Sequence, residues 1–353
     1  MKKTVCFFSL ILIILIIGGL NAMNVRATEQ QSLKIFAIGN SFSEDSTEYL
    51  AVIAEDLGIK DYVFGNAYIG GCSIATHAQN ARDDAPAYRY DKMTTRILMS
   101  NATKTKEVTL DTMLRDEEWD IITLQQKSGD SGKPSTYNED IDYLISYIKE
   151  RCPNAKLAWN MTWAYQSDYD GSSFKYYNND QMKMYEKICS AVQQKIEPND
   201  SFDYIIPAGT AIQNARTGER GDTFNRDGIH LDLTIGRYIV GVTWFRSLGY
   251  SLDNLKTLPQ RVKKTELEFI KEVVENAVAN PYSVTPYGTA PETSAPETEQ
   301  ATEANTQSHT EQSTQQSVQE PIAKTNLTPV LIAIAAVAVI LAAAVVFLLI
   351  KKR

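Results

Sequence analysis

Two short stretches, far apart in the chain, carry residue types suited to nucleophilic catalysis. Ser41 lies in Gly-Asn-Ser-Phe-Ser at positions 39–43, directly after a short apolar run, and Asp227 stands three residues before His230. A serine hydroxyl is a weak nucleophile until a base removes its proton, and that base needs an anionic partner to fix its tautomer. The pattern therefore predicts Ser41 as nucleophile, His230 as base and Asp227 as the partner of the base.

The chain offers few other candidates for the base. Its only histidines are His77, His230 and His309, and His309 falls in a low-complexity tail. His230 is therefore the better candidate for activating Ser41. Taken alone, the Asn-Ser pair at positions 40–41 is equally typical of a turn or a helix N-cap.

The residues around Ser41 predict the elements that position it. Residues 33–39 form an apolar run typical of a buried parallel strand. Apolar residues then recur at helical spacing from Leu50 to Leu57, and Gly58 stands where a C-cap belongs. Ser41 is thus expected at the carboxyl end of the first strand, where open α/β sheets bind ligands. Backbone N–H groups near a helix start could stabilise developing negative charge there.

The region from Ser32 to Asn280 is predicted to be one α/β domain. Strand-like runs recur in it, at residues 62–64, 121–124, 156–161 and 204–207. Helical patterns lie between these runs, and a last helix is expected over residues 233–248. Such alternation predicts a parallel sheet covered by helices on both sides. Residues 79–108 are polar and poorly periodic, and an irregular insertion near the active face is expected there.

The two ends of the chain predict export and anchoring. Residues 1–27 combine a basic start, an apolar run and small-residue sites, which is typical of a secretory signal peptide, with an uncleaved anchor as the alternative. Residues 282–328 are rich in Thr, Glu, Pro and Gln and predict a disordered stalk. Residues 330–350 predict a transmembrane helix and 351–353 a basic cytoplasmic tail, so that the domain would lie outside the cell membrane.

Composition and cysteine usage narrow the classes of partner. The formal net charge of −8 gives no indication of nucleic-acid binding. Three cysteines remain after the signal, Cys72, Cys152 and Cys189, and they lack metal-ligand spacing. Cys152 and Cys189 could pair, or all three could be small buried apolar side chains. Neither a metal nor another cofactor is expected.

The motifs at 39–43 and 227–230 resemble those of the SGNH, or GDSL-like, hydrolase superfamily, most closely a secreted bacterial branch with Gly-Asn-Ser-Phe-Ser in its first block. The resemblance covers most of residues 32–248. It implies a flavodoxin-like three-layer α/β sandwich with a five-stranded, mostly parallel sheet, and esterase or lipase activity. Ser41 matches the family's nucleophile, and Asp227 and His230 match the other members of its triad. Asn40 stands where the superfamily usually has Asp.

The resemblance also implies an oxyanion hole. The expected backbone donors are the N–H groups of Ser41 and Gly71. Gly71 belongs to a Gly-Gly pair that matches the family's second block. The alternative for this pair is an ordinary loop turn without a role in catalysis. The third block departs from the family because its usual Asn is absent. Gln126 or Gln125, at the end of a predicted strand, could donate the equivalent hydrogen bond.

Two further residues are candidates for substrate binding. His77 could line the pocket or make a structural hydrogen bond inside the protein. Trp163, close to Trp159 and Tyr165, could stack on a sugar ring or pack in the core.

The sequence thus predicts a cell-surface serine esterase that hydrolyses acyl esters, above all acetyl esters, of a small molecule or a carbohydrate through an acyl-enzyme. An SGNH-like carbohydrate-binding module with weak or no turnover is the alternative, supported by the altered third block. An acyltransferase that uses the same three residues is a further possibility.

Overall fold

The computed structural model describes residues 32–289 of the chain. The predicted signal peptide, the predicted transmembrane helix at 330–350 and the basic tail lie outside these residues, as does most of the predicted stalk. Within residues 32–289, no helix combines the length and apolar character needed to cross a membrane.

A seven-stranded sheet forms the centre of the described chain, with the spatial order β4-β3-β2-β1-β5-β6-β7. Its strands are β1 (Ser32–Gly39), β2 (Asp61–Tyr68), β3 (Tyr88–Met93), β4 (Thr103–Val108), β5 (Ile121–Leu124), β6 (Lys156–Asn160) and β7 (Tyr204–Ile206). Five neighbouring strands are parallel: β2, β1, β5, β6 and β7. Strands β3 and β4 are antiparallel additions at one edge of the sheet. Counted among themselves, the parallel strands follow the order 2-1-3-4-5 of flavodoxin-like sheets.

Helices cover the sheet in two groups. They are α1 (Ser41–Thr47), α2 (Leu50–Asp56), α3 (Ile74–Arg82), α4 (Leu110–Leu114), α5 (Glu139–Arg151), α6 (Gln181–Lys195), α7 (Ala208–Ala215), α8 (Ile235–Ser247) and α9 (Leu267–Ala279). In one group α1, α2, α7 and α9 all pack against α8, and α6 packs against α7; in the other, α3, α4 and α5 pack against one another. Strand β5, which lies between β1 and β6, is buried along its whole length, as expected for a strand covered on both faces.

The sheet is larger than predicted, because the five-stranded expectation missed β3 and β4. Residues 79–108 do not form an irregular insertion: α3 extends to Arg82, and the two antiparallel strands follow. Strand β4 exposes five of its six residues, Lys104 and Lys106 among them. Charged side chains on an edge strand prevent pairing with other chains, and they also remove the apolar alternation by which a strand is detected in a sequence.

The connection from β1 to α1 is unusually tight. Helix α1 begins at Ser41, immediately after its N-cap Asn40, rather than several residues later. A Cβ atom on Gly39 would lie 2.7 Å from Cβ of Ser43, which is closer than real contacts allow. Glycine at position 39 therefore lets the helix turn directly off the strand and places Ser41 at the carboxyl end of β1.

The chain beyond α9 remains on the domain as far as Thr289. The backbone N–H of Thr285 donates to Asn214 Oδ1 at 2.8 Å, and that of Tyr287 donates to Thr217 Oγ1 at 2.8 Å. The ring of Tyr287 packs edge-on against Phe269, with ring centroids 4.9 Å apart. Residues 282–289, which the sequence assigned to the stalk, thus make specific contacts with the folded domain.

All three cysteines of the described region are buried and free. Cys152 and Cys189 are not bridged, so the alternative of small buried side chains describes them. Burial raises the pKa of the Cys72 thiol to about 12.

Gly209→Ala is expected to lower the free energy of unfolding by about 1–3 kcal/mol or more, because overpacking is destabilising. The added Cβ would overlap the backbone carbonyl of Thr162 and lie 3.2 Å from Cα of Trp163. Urea unfolding followed by circular dichroism measures the change. Gly70→Ala is the matched control, since its added Cβ meets nothing nearer than Tyr68 Oη at 3.4 Å. Equal unfolding free energies for Gly209→Ala and wild type would contradict the expected overlap.

Candidate active site

The structure brings Ser41, His230 and Asp227 into one hydrogen-bonded row. Ser41 Oγ lies 2.8 Å from Nε2 of His230, and Nδ1 of the same imidazole lies 2.7 Å from Oδ2 of Asp227. Ser41 is the first residue of α1, while the other two residues lie in the loop before α8. This geometry allows the imidazole to take the serine proton while the carboxylate stabilises the resulting cation.

The carboxylate of Asp227 is held by its own loop. Oδ1 accepts the backbone N–H of His230 at 2.7 Å and that of Ile229 at 3.1 Å. Burial acts to raise the pKa of Asp227, but the hydrogen bonds from His230 and Ile229 outweigh it and lower the pKa. Gly228 adopts φ +80°, and an added Cβ would lie 2.7 Å from Tyr169 Cδ2, so this turn requires glycine. Asp227 is therefore kept ionised and oriented toward the imidazole.

The Asn40 side chain ties together three segments around the nucleophile. Its Oδ1 accepts the backbone N–H of Phe42 at 2.9 Å, which caps α1, and also accepts Nε2 of Gln125 at 3.1 Å. Its Nδ2 donates to the backbone carbonyl of Cys72 at 2.9 Å. Aspartate could make the first two bonds but not the third, because it has no N–H to donate.

The two glutamines at the end of β5 occupy different environments. The amide nitrogen of Gln126 already donates to the carbonyl and the hydroxyl of Thr136, at 3.0 and 3.1 Å. Gln125 donates to Asn40, and its Oε1 accepts Nδ2 of Asn160 at 2.9 Å. Asn160, a buried polar residue at the end of β6, had no role in the sequence prediction. Its only signal in the sequence is an amide side chain where an apolar strand ends.

The two predicted backbone donors of the oxyanion hole are the N–H groups of Ser41 and Gly71. Within residues 32–289, neither the N–H of Ser41 nor that of Gly71 donates to another protein group. Gly71 lies in the exposed turn before α3 with φ +61°, which favours glycine. The oxyanion role of these groups remains a prediction.

His77 lies inside the protein. Its side chain is completely buried, Nδ1 lies 3.0 Å from Tyr88 Oη, and the two rings stack. Burial lowers the pKa of His77 to about 4, so the imidazole is neutral near pH 7. This environment corresponds to the structural alternative, a hydrogen-bonded histidine inside the protein.

Trp163 is also completely buried. Its ring stacks on Phe42 at a centroid distance of 4.1 Å, and Phe42 in turn packs edge-on against the imidazole of His230. Its Nε1 donates to the carbonyl of Ile229 at 2.9 Å. Trp163 therefore belongs to the core behind the candidate site, where it supports the loop that carries His230.

In the part of the chain that the structure describes, no three His, Cys, Asp or Glu side chains are grouped so that they could hold a metal ion.

A family model matches residues 34–277, which include all of the sheet except the first two residues of β1 and all three residues of the hydrogen-bonded row. The chain belongs to the DUF4886 family. That family is described as a domain of unknown function. A solved DUF4886 structure from Bacteroides uniformis is 41% identical, with a TM-score of 0.68, and the match covers 73% of this chain and 98% of that one.

Two further solved structures match at much lower identity. TesA is 12% identical with a TM-score of 0.38, over 61% of this chain and 98% of its own. A catalytic mutant of Axe2, an acetylxylan esterase from Geobacillus stearothermophilus, is 11% identical with a TM-score of 0.41. This match covers 64% of the present chain and 97% of the Axe2 chain. Similarity this low does not bear on the activity of the DUF4886 protein described here. No curated protein matches the chain.

His77→Gln is expected to reduce the loss of stability that acid causes. Above the ordinary pKa of 6.5 the imidazole is neutral in both the folded and the unfolded chain. As the pH falls from 6.5 toward the folded value of about 4, only the unfolded chain takes up this proton. The free energy of unfolding should then fall by about 3 kcal/mol more in wild type than in His77→Gln.

Urea unfolding at several pH values between 4 and 7 measures this difference. Tyr88→Phe is the matched control, because it removes the hydroxyl partner and keeps the buried imidazole, and it should retain the wild-type pH dependence. Identical pH dependence in His77→Gln and wild type would show that burial does not suppress this protonation.

Proposed function

We propose that this DUF4886 protein is a serine esterase of the SGNH type, in which Ser41, His230 and Asp227 form the catalytic triad. The observation that supports it best is the continuous hydrogen-bonded row from Ser41 Oγ through the imidazole to Asp227 Oδ2, with separations of 2.8 and 2.7 Å. A serine alcohol, a base and an oriented carboxylate in this sequence are the parts that acyl transfer requires.

In the proposed reaction, His230 removes the proton from Ser41 Oγ as this oxygen attacks the ester carbonyl. The imidazolium is stabilised by Asp227 and then protonates the departing alcohol. Water deprotonated by His230 next attacks the acyl-enzyme, and the proton returns to Ser41 Oγ as the carboxylic acid leaves. No step requires a group from outside this chain except substrate and water.

The negative charge on the carbonyl oxygen would be stabilised by the backbone N–H groups of Ser41 and Gly71. Gln125 is the better candidate for a third donor, because one of its two amide hydrogens has no acceptor in the described chain. Gln126 donates twice to Thr136. Its amide would have to break these bonds before it could reach a substrate.

The proposed substrate is a small acyl ester, with an acetyl ester of a carbohydrate as the first class to test. This choice comes from the resemblance of the motifs at 39–43 and 227–230 to SGNH esterases. The predicted signal peptide and transmembrane helix add the proposal that the domain acts outside the cell membrane.

A carbohydrate-binding module without turnover is the second candidate function. It is favoured by the third block, which lacks the usual Asn and in which the Gln126 amide is bonded to Thr136. Without a side-chain donor, catalysis would rest on the two backbone N–H groups alone.

Ser41→Ala is expected to abolish hydrolysis of p-nitrophenyl acetate, since it removes the hydroxyl that forms the acyl-enzyme in the proposed reaction. Asp227→Asn should lower kcat by roughly 10³–10⁴, because an amide neither fixes the same tautomer nor stabilises the imidazolium. Release of p-nitrophenol measures both rates. Ser190→Ala is the control, since it removes a serine hydroxyl from α6 that bonds Gln194. An inactive wild type would favour the binding module, and equal rates in wild type and Ser41→Ala would exclude the triad.

Gln125→Met and Gln126→Met test the third donor, since methionine keeps the length of the side chain and removes the amide. We expect Gln125→Met to lower kcat by about 10²–10³ with little change in KM, as for other lost oxyanion donors. Gln126→Met should have the smaller effect on kcat. The same p-nitrophenyl acetate assay decides the order, and a larger loss in Gln126→Met would reverse the assignment.

A further inference from the structure

We propose that Asp45 is a positioning residue for His230, and that its buried carboxylate sets the distance between the imidazole and Ser41. The inference rests on the proposed function, because it assigns a role within that triad. The sequence alone gave Asp45 no role. It is one acidic residue in a short helix, without a motif that marks it.

Asp45 and Ser41 belong to the same helix. They are four residues apart in α1 and therefore lie one turn apart on the same side of it. The Asp45 side chain has no exposed surface. A group that Asp45 binds is consequently fixed relative to Ser41 by the backbone of a single helical turn.

Asp45 binds the loop next to the imidazole. Its Oδ2 accepts the backbone N–H of Leu231 at 2.9 Å, and its Oδ1 lies 3.1 Å from Nη1 of Arg226. The backbone N–H of Arg226 donates to the carbonyl of His230 at 2.9 Å. The peptide group between His230 and Leu231 is thus held at both its carbonyl and its N–H. The orientation of this peptide determines where the Cα–Cβ bond of His230 points.

Two arginines compensate the negative charge of the buried Asp45 carboxylate. Arg237, from α8, places Nε 2.8 Å and Nη2 2.7 Å from Asp45 Oδ1, and Arg226 adds the second guanidinium. A buried carboxylate without such partners would be strongly destabilising, and removing one partner of a buried pair leaves an uncompensated charge. The same anion therefore holds the start of α8, the loop before it and α1 together.

Asp56 provides a matched control for a purely structural role. It is also a buried carboxylate, on α2, and it accepts the backbone N–H of Lys256 at 2.9 Å and the hydroxyl of Thr257 at 2.7 Å. Like Asp45, it fixes a loop through backbone bonds, but its loop does not carry a triad residue. Substitution of either aspartate should lower stability, whereas only Asp45 should affect the imidazole.

The test compares Asp45→Asn, Arg226→Gln and Asp56→Asn in the full-length protein. Each is assayed for p-nitrophenyl acetate hydrolysis, for unfolding by urea, and for the downfield proton resonance of the imidazole Nδ1–H that bonds Asp227. Asp45→Asn should lower kcat by about 10²-fold with little change in KM, as expected for a misplaced catalytic group, and should shift or broaden the resonance. Arg226→Gln leaves Asp45 paired with Arg237. It should lower kcat and shift the resonance in the same direction as Asp45→Asn, but to a smaller extent. Asp56→Asn should keep the wild-type kcat and resonance.

Two results would overturn the proposal. One is a wild-type kcat and resonance in Asp45→Asn. The other is an equal loss of both in Asp45→Asn and Asp56→Asn, which would indicate general destabilisation. If the wild-type protein does not hydrolyse esters at all, the proposed function fails, while the resonance still reports whether Asp45 holds the imidazole.

Discussion

The hydrogen bond between Ser41 Oγ and His230 Nε2 joins positions 189 residues apart, and the rest of the architecture serves to bring them together. One partner begins a helix that turns directly off the central strand, and the other lies in a loop without regular structure. A separation of 2.8 Å leaves little tolerance, because proton transfer needs heavy atoms within hydrogen-bond distance. The sheet fixes the serine, but it cannot by itself fix a loop that follows its last strand.

The serine side of this contact rests on a buried polar network. Asn40 bonds Gln125, Gln125 bonds Asn160, and Asn160 accepts the indole N–H of Trp244 at 3.1 Å. An unpaired polar group at such depth costs about 1–3 kcal/mol, so each amide constrains the next. Asn40 and Gln125 are in direct contact, with Gln125 Nε2 3.1 Å from Asn40 Oδ1. The two amides therefore act as one hydrogen-bonded pair, and a change in either side chain alters the support of the other.

The sequence predicted those elements and motifs that a short stretch of residues is enough to reveal. The apolar run of β1, the helical spacing in α5 and α6, and the motifs at 39–43 and 227–230 could all be detected without coordinates. Strands β3 and β4 could not, because an exposed edge has no reason to alternate apolar and polar residues. For His77 and Trp163, residue type left two interpretations open, and only their complete burial separates them. Asp45 has no local signal at all, since its importance depends on two arginines more than 180 positions away.

The histidine side of the contact shows how a loop can fix the position of a side chain without a helix or strand. The two peptide groups that flank His230 have four polar atoms, and each has a partner. The Ile229 carbonyl accepts Trp163 Nε1, the N–H of His230 donates to Asp227, and the carbonyl of His230 accepts the Arg226 N–H. The N–H of Leu231 donates to Asp45.

These partners come from different parts of the fold: α1, the segment after β6, and the loop itself. Rotation of either peptide would break bonds to at least two of them and leave polar groups unpaired, which is unfavourable. The imidazole consequently keeps only its side-chain torsions, and the bond to Asp227 restricts these. Every polar atom of these two peptide groups is bonded, as it would be in a helix or strand, and such bonding is what preorganisation of a proton-transferring imidazole requires.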